Sequence, residues 1–197
     1  MKKKAMELAL RSIEIEAKAV KDVAGYLDRT SFAKAVDAIS SCGKVITCAS
    51  GSSGIAAKKF AHSLCCVDRP ALFLSPSEAV HGGMGCIKKN DVVVMVSRGG
   101  KTAELLPILG VIQRKGATLI SVTENLKSPI AEKADIVLRM RIARESDKFN
   151  VMATASFVAT IAIFDALLAA VMEETGYKLS QFALIHPGGA VGEALNS

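Results

Sequence analysis

Five short apolar runs, residues 44–48, 71–74, 91–96, 118–122 and 135–138, punctuate the middle of the chain, and helical periodicity near 53–64, 102–115 and 128–133 separates most of them. The third run reads Val92, Val93, Val94, Met95, Val96 without a polar break. A strand with one face in water alternates apolar and polar residues, so an unbroken run marks a strand covered on both faces. Such strands alternating with helices predict an α/β fold, a doubly wound five-stranded parallel sheet flanked by helices. Ligands of these sheets sit beyond the carboxyl ends of the strands, where the strand order reverses. With 197 residues, half of them hydrophobic, the chain can bury one substantial core. It reads as a single domain over 1–197, with an N-terminal helix over 1–28 and a core over 40–197.

Two further stretches are helical. Met6, Leu10, Ile13, Ala17, Val20, Ala24 and Leu27 recur at alternating spacings of four and three, which predicts a long helix with one apolar seam. The seam needs a partner, either the helix's own domain or another subunit. Residues 151–172 carry a single charged side chain, Asp165, over a length that would span a bilayer. A mid-helix aspartate is costly in lipid, and Ala, Thr and Ser dilute the hydrophobicity, so a buried helix is the better reading.

Composition narrows the partners. Met1 to Lys4 is basic, but Glu7, Arg11, Glu14 and Glu16 follow before any apolar stretch of signal length, so no secretory leader is expected and the protein is placed in the cytoplasm. Cys42, Cys48, Cys65, Cys66 and Cys86 lack C-x-x-C spacing and lie largely in apolar segments, which argues against disulfides or a zinc site. A net charge of +6 suits an anionic partner, yet the basic residues are scattered and aromatics are scarce. A small anion fits better than nucleic acid.

The first and third runs end in similar turns. Ala49-Ser50-Gly51-Ser52-Ser53-Gly54 and Ser97-Arg98-Gly99-Gly100-Lys101-Thr102 each join a strand to a helix. Glycines let the backbone approach an anion, the first amides of the next helix point at it, and Ser and Thr hydroxyls add donors. Gly100-Lys101-Thr102 lacks the glycine five positions before Gly100 that a nucleotide-triphosphate loop requires; Met95 stands there. The dinucleotide fingerprint G-x-G-x-x-G and the nucleophile elbow G-x-S-x-G are also missing.

Together with Glu78-Ala79-Val80-His81-Gly82, Arg144-Glu145 and His186-Pro187-Gly188-Gly189-Ala190-Val191-Gly192, the two turns resemble the sugar isomerase (SIS) domain family, and within it the arabinose-5-phosphate isomerase branch. The similarity runs from about Lys44 to Leu195. It implies a flavodoxin-like SIS fold in the form without paired CBS domains. It also implies cofactor-free interconversion of D-ribulose 5-phosphate and D-arabinose 5-phosphate, in a homotetramer whose active sites form between subunits. Carried over by position, the resemblance implies acid/base roles for Glu104 and Glu145, active-site roles for His81 and His186, and phosphate-holding roles for Ser50, Ser53, Ser97, Thr102, Thr154 and Ser156, with Gly51, Ser52, Gly99, Gly100 and Lys101 completing the turns. The family also forms non-catalytic sugar-phosphate sensors, which gives an alternative reading.

This chain departs from that branch where a lysine is usual in the first turn and Ser52 stands instead, and where S-G-E in the second becomes Gly99-Gly100-Lys101. Lys101 is a candidate for restoring the missing cation. Aldose-ketose exchange moves a proton between adjacent carbons through an enediol, which requires a base beside the substrate and a donor for the developing oxyanion. A Glu104 in the first turn of the helix opened by the second turn would put a carboxylate there.

Overall fold

The computed structural model describes residues 3–196, leaving the predicted domain limits at Met1, Lys2 and Ser197 outside the described residues. Five strands, β1 (Val45–Cys48), β2 (Ala71–Phe73), β3 (Val92–Val96), β4 (Thr118–Thr123) and β5 (Ile136–Arg139), pair in the order β2-β1-β3-β4-β5, and every pairing is parallel. Each lies within about a residue of its predicted run. Because the chain moves outward from β1 to β2 and then returns to β3 on the other side, the order reverses between β1 and β3. The two serine- and glycine-rich turns leave the carboxyl ends of those two strands.

The unbroken apolar runs serve two cores. Val92, Val94 and Val96 face one core with Ala35 and Ile39 of α2 (Arg29–Ser41), Phe60 of α3 (Gly51–Cys65) and Ile163, Phe164 and Leu167 of α7 (Ala155–Glu174). Val93 and Met95 face the other with Ala79 of α4 (Pro76–Val80), Ile108 and Ile112 of α5 (Leu106–Lys115) and Ile130 of α6 (Pro129–Lys133). The sheet is doubly wound, as the absence of alternation predicts.

The apolar stretch near 151–172 becomes α7, the one helix among the described residues long and apolar enough to cross a membrane. It packs instead against α3 and α2, with the Phe60 and Phe164 rings stacked at a centroid distance of 4.2 Å. Asp165, on its outer side, is ion-paired with Lys59 of α3. That packing accounts for its composition without a bilayer.

The N-terminal helix α1 spans Lys3–Tyr26. It lies on α7 through the half-buried Ile15 and the buried Ala19 and Val23, a stripe narrower than the predicted seam. Of the seven seam positions only Leu27 packs on this core, whereas Met6, Leu10, Ile13 and Val20 are exposed.

One boundary differs with consequence. The helix predicted over 102–115 begins only at Leu106, because Pro107 is in its first turn. A helix running from Thr102 would need the amide that proline lacks and would press its ring on the carbonyl of Ala103. Glu104 therefore sits in an irregular turn ahead of the helix rather than in its first turn.

Candidate functional site

The second turn is held from below by β4. Ser97 and Glu124 amides pair with Val122 and Arg98 carbonyls, and Thr123 Oγ1 donates to the Arg98 carbonyl at 3.1 Å. Buried Ser97 accepts from the Gly100 amide at 3.0 Å, and its Oγ lies 2.7 Å from Thr102 Oγ1. Gly100 has φ +64°, and a Cβ there would fall 1.9 Å from Ser128 Oγ, so only glycine fits. Among the described residues none accepts a hydrogen bond from the amides of Lys101, Thr102, Ala103 or Glu104. A run of unpaired amides in a turn is an anion-binding concavity.

The first turn opens α3. Ser50 is its N-cap without using its hydroxyl on the helix, and Gly51 has φ +59°. Ser50, Gly51 and Gly54 line a cleft of about 330 Å³ together with Ile55, Lys58, Phe73, Ser75 to Ser77 and exposed Glu104. The volume suits a pentose or hexose phosphate. His81, exposed, ends α4, whose first residues form one wall.

A second, narrow pocket holds Ser52, Ser53, Arg98 and Ser156. Glu145 lies beneath it, 1% exposed. Its Oε2 accepts from the Thr154 and Ser156 amides, both at 3.0 Å, and from Thr154 Oγ1 at 3.1 Å; its Oε1 accepts from Ser156 Oγ at 2.5 Å and Arg98 Nη1 at 2.7 Å. Burial alone would raise its pKa, but the hydrogen bonds from Ser156 and Thr154 outweigh that and hold the carboxyl below its ordinary range. The N-terminus of α7 therefore already carries an anion, the Glu145 carboxylate, and the Thr154 and Ser156 hydroxyls are engaged by it. Arg98 is shared, with Nε donating to Glu124 Oε2 at 2.8 Å. Its charge is thus engaged by two carboxylates.

The predicted site residues thus fall into three groups. Ser50, Gly51 and Glu104 line the larger cleft, His81 stands at the end of one of its walls, and Ser97 to Thr102 form the amide-rich turn beside it. Glu145, Thr154 and Ser156 form a closed network, with Ser52 and Ser53 on the pocket above it. His186 is remote from both. It caps α8 (Leu179–Ile185), stacks on Phe182 at 3.8 Å and bonds through Nδ1 with the Phe182 carbonyl. Tyr177 Oη on Cys66 O and Gln181 Nε2 on Asp68 tie this segment to the carboxyl end of α3, about 22 Å of helix from the first turn.

Sequence reasoning missed two cations. Arg98 stands two residues beyond the end of β3, within the turn itself, a position that signals proximity to a ligand there. Lys58 follows Gly51 and Gly54 at helical spacing on one face of α3, a signal available from the sequence. Lys101 is exposed and forms no ion pair among the described residues.

Residues 38–170 match the SIS domain. The arabinose 5-phosphate isomerase KdsD of Pseudomonas aeruginosa is 38% identical over 188 residues, covering 95% of this chain and 57% of that protein. This chain spans about half the length of the curated relatives it matches. A Listeria monocytogenes structure, solved as that of a candidate sugar-phosphate isomerase, superposes with a TM-score of 0.92 at 42% identity, covering 95% of this chain and all of that one. An Escherichia coli CFT073 protein in complex with A5P superposes with a TM-score of 0.89 at 31% identity, over 95% of this chain and 100% of that one.

Proposed function

Because the chain belongs to the SIS domain family, we propose that it is a sugar-phosphate isomerase, interconverting D-arabinose 5-phosphate and D-ribulose 5-phosphate through an enediol. The observation that carries this reading is Glu104, an exposed carboxylate facing a ligand-sized cleft at the strand-order reversal, beside a turn whose free amides suit a phosphate. The activity of the Pseudomonas relative and the A5P bound to the Escherichia coli one support it.

In this mechanism the amides of 101–104 with Ser97 and Thr102 hold the phosphate. Glu104 takes the proton from the carbon beside the carbonyl, giving an enediol, and returns it to the neighbouring carbon. His81 moves the proton between the two oxygens. Glu145 is held ionised by its hydrogen bonds and sets the position of Arg98 and the start of α7. His186 reaches the site only from a second copy of the chain, which makes an oligomer, a tetramer in our reading, the working form.

The test is to incubate the protein with ribulose 5-phosphate in deuterated water and follow the sugar by NMR. Aldose-ketose exchange with deuterium entering at C2 of the aldose is expected, and Glu104→Gln abolishes it while still binding substrate. Binding without exchange across pentose and hexose phosphates would overturn the enzyme reading. One observation favours that outcome, a sugar-phosphate sensor: of the four acid/base candidates, only Glu104 lines the cleft within one chain.

A further inference from the structure

The cleft that holds Glu104 also holds an opposite charge to which no role has been given. Lys58, on α3, lines the same 330 Å³ space, and its Nζ lies over the Phe73 ring at 5.0 Å from the centroid. No carboxylate lies within ion-pair distance of it among the described residues, Glu104 included. A lysine and a glutamate that face one cleft without pairing leave room for a ligand between them.

The other cations near the two turns are differently placed. Arg98 is already ion-paired with both Glu124 and Glu145. Lys101 is exposed and lines neither the cleft nor the pocket. A sugar phosphate carries close to two negative charges at neutral pH, and turn amides supply only partial positive charge. A full positive charge facing the cleft from α3 therefore complements the partial charges of the turn amides on the same phosphate.

The geometry points to Lys58 as the residue that supplies the full positive charge for the ligand's phosphate, a binding and specificity determinant that separates phosphorylated from unphosphorylated sugars. This rests on the functional reading above. The Phe73 ring beneath the ammonium restrains its long side chain, which lowers the ordering cost of binding.

The experiment measures calorimetric affinity of the wild type, Lys58→Ala, Lys58→Arg and the surface control Lys89→Ala for ribulose 5-phosphate and inorganic phosphate, together with KM and kcat for the exchange. We expect Lys58→Ala to weaken both affinities and raise KM by about 10- to 100-fold, the range for a lost hydrogen bond to a charged group, with kcat changed less than threefold. Lys58→Arg should restore most of the affinity, and Lys89→Ala should match the wild type. Unchanged affinity in Lys58→Ala overturns the assignment even if exchange proceeds normally. A wild type that binds without exchange sinks the isomerase reading alone, since the affinity ratio still decides Lys58. A wild type that binds neither probe overturns both.

Discussion

Ser156 Oγ donates to Glu145 Oε1 at 2.5 Å, and this contact joins the loop after β5 to the first turn of α7. Through Glu145 the same loop also reaches Arg98 in the second turn. The loop before α7, the start of that helix and the distant second turn are thereby locked around one buried carboxylate. Replacing it with Glu145→Ala leaves Arg98 with one partner and the α7 amides with none. We expect a loss of about 2–4 kcal/mol, read as a lowered midpoint in urea unfolding.

The same carboxylate gives the protein a stability that depends on pH. In the folded state Glu145 ionises at lower pH than an unfolded glutamate, so it binds fewer protons than the unfolded chain in that range. Its contribution is full above the unfolded value of about 4.3 and is lost as pH falls through the depressed folded value. Asp28 and Asp147, also held low by backbone hydrogen bonds, act in the same direction. Urea midpoints measured from pH 7 to pH 3 should fall below pH 5, and less steeply in Glu145→Gln. Identical slopes would show that Glu145 is not a source of the effect.

Gly100→Ala tests the floor of the second turn. The added methyl meets Ser128 Oγ at 1.9 Å and Ser128 Cβ at 2.4 Å, and the backbone there is left-handed. Relief requires Ser128 to move, although its Oγ caps α6 by accepting from the Ala131 amide. A loss of about 2 kcal/mol or more is expected, with weaker phosphate binding from a displaced turn. A variant with unchanged melting temperature and phosphate affinity would contradict the packing described.

The thiols should differ sharply in reactivity. Cys48, at the end of β1, is fully buried, and burial first, then the nearby Cys86, pushes its pKa up to about 12. At pH 8 only about one molecule in ten thousand would carry that thiolate. Cys65 is exposed. A disulfide reagent at pH 8 should label Cys65 within minutes and Cys48 only after unfolding, as peptide mass spectrometry can show.

How much of this was legible before folding can be judged residue by residue. The unbroken apolar run of β3 announces a strand with two covered faces, because neither face can tolerate a polar side chain. The turns after β1 and β3 are equally legible, since their backbone geometry is local and Gly100 and Gly51 are the residues that permit it. Other features needed more than periodicity. The heptad seam of α1 is a true periodicity, but Ile15, Ala19 and Val23 beside it make the contact with α7, and most of the seam is left exposed. Pro107 carried the information that α5 starts late, and weighing it would have placed Glu104 in the turn.

By itself, then, the sequence determined the sheet, its parallel sense and the chemistry of its two anion-seeking turns, since these follow from side-chain periodicity and local backbone freedom. Only the tertiary structure decided which charged groups remain available. Glu145 is enclosed by Thr154 and Ser156, Arg98 is shared between two carboxylates, His186 lies near the carboxyl end of α3, and Lys58 and Glu104 face one cleft unpaired. Whether a charge is paired depends on residues brought close by the fold, and no spacing along the chain encodes that distance.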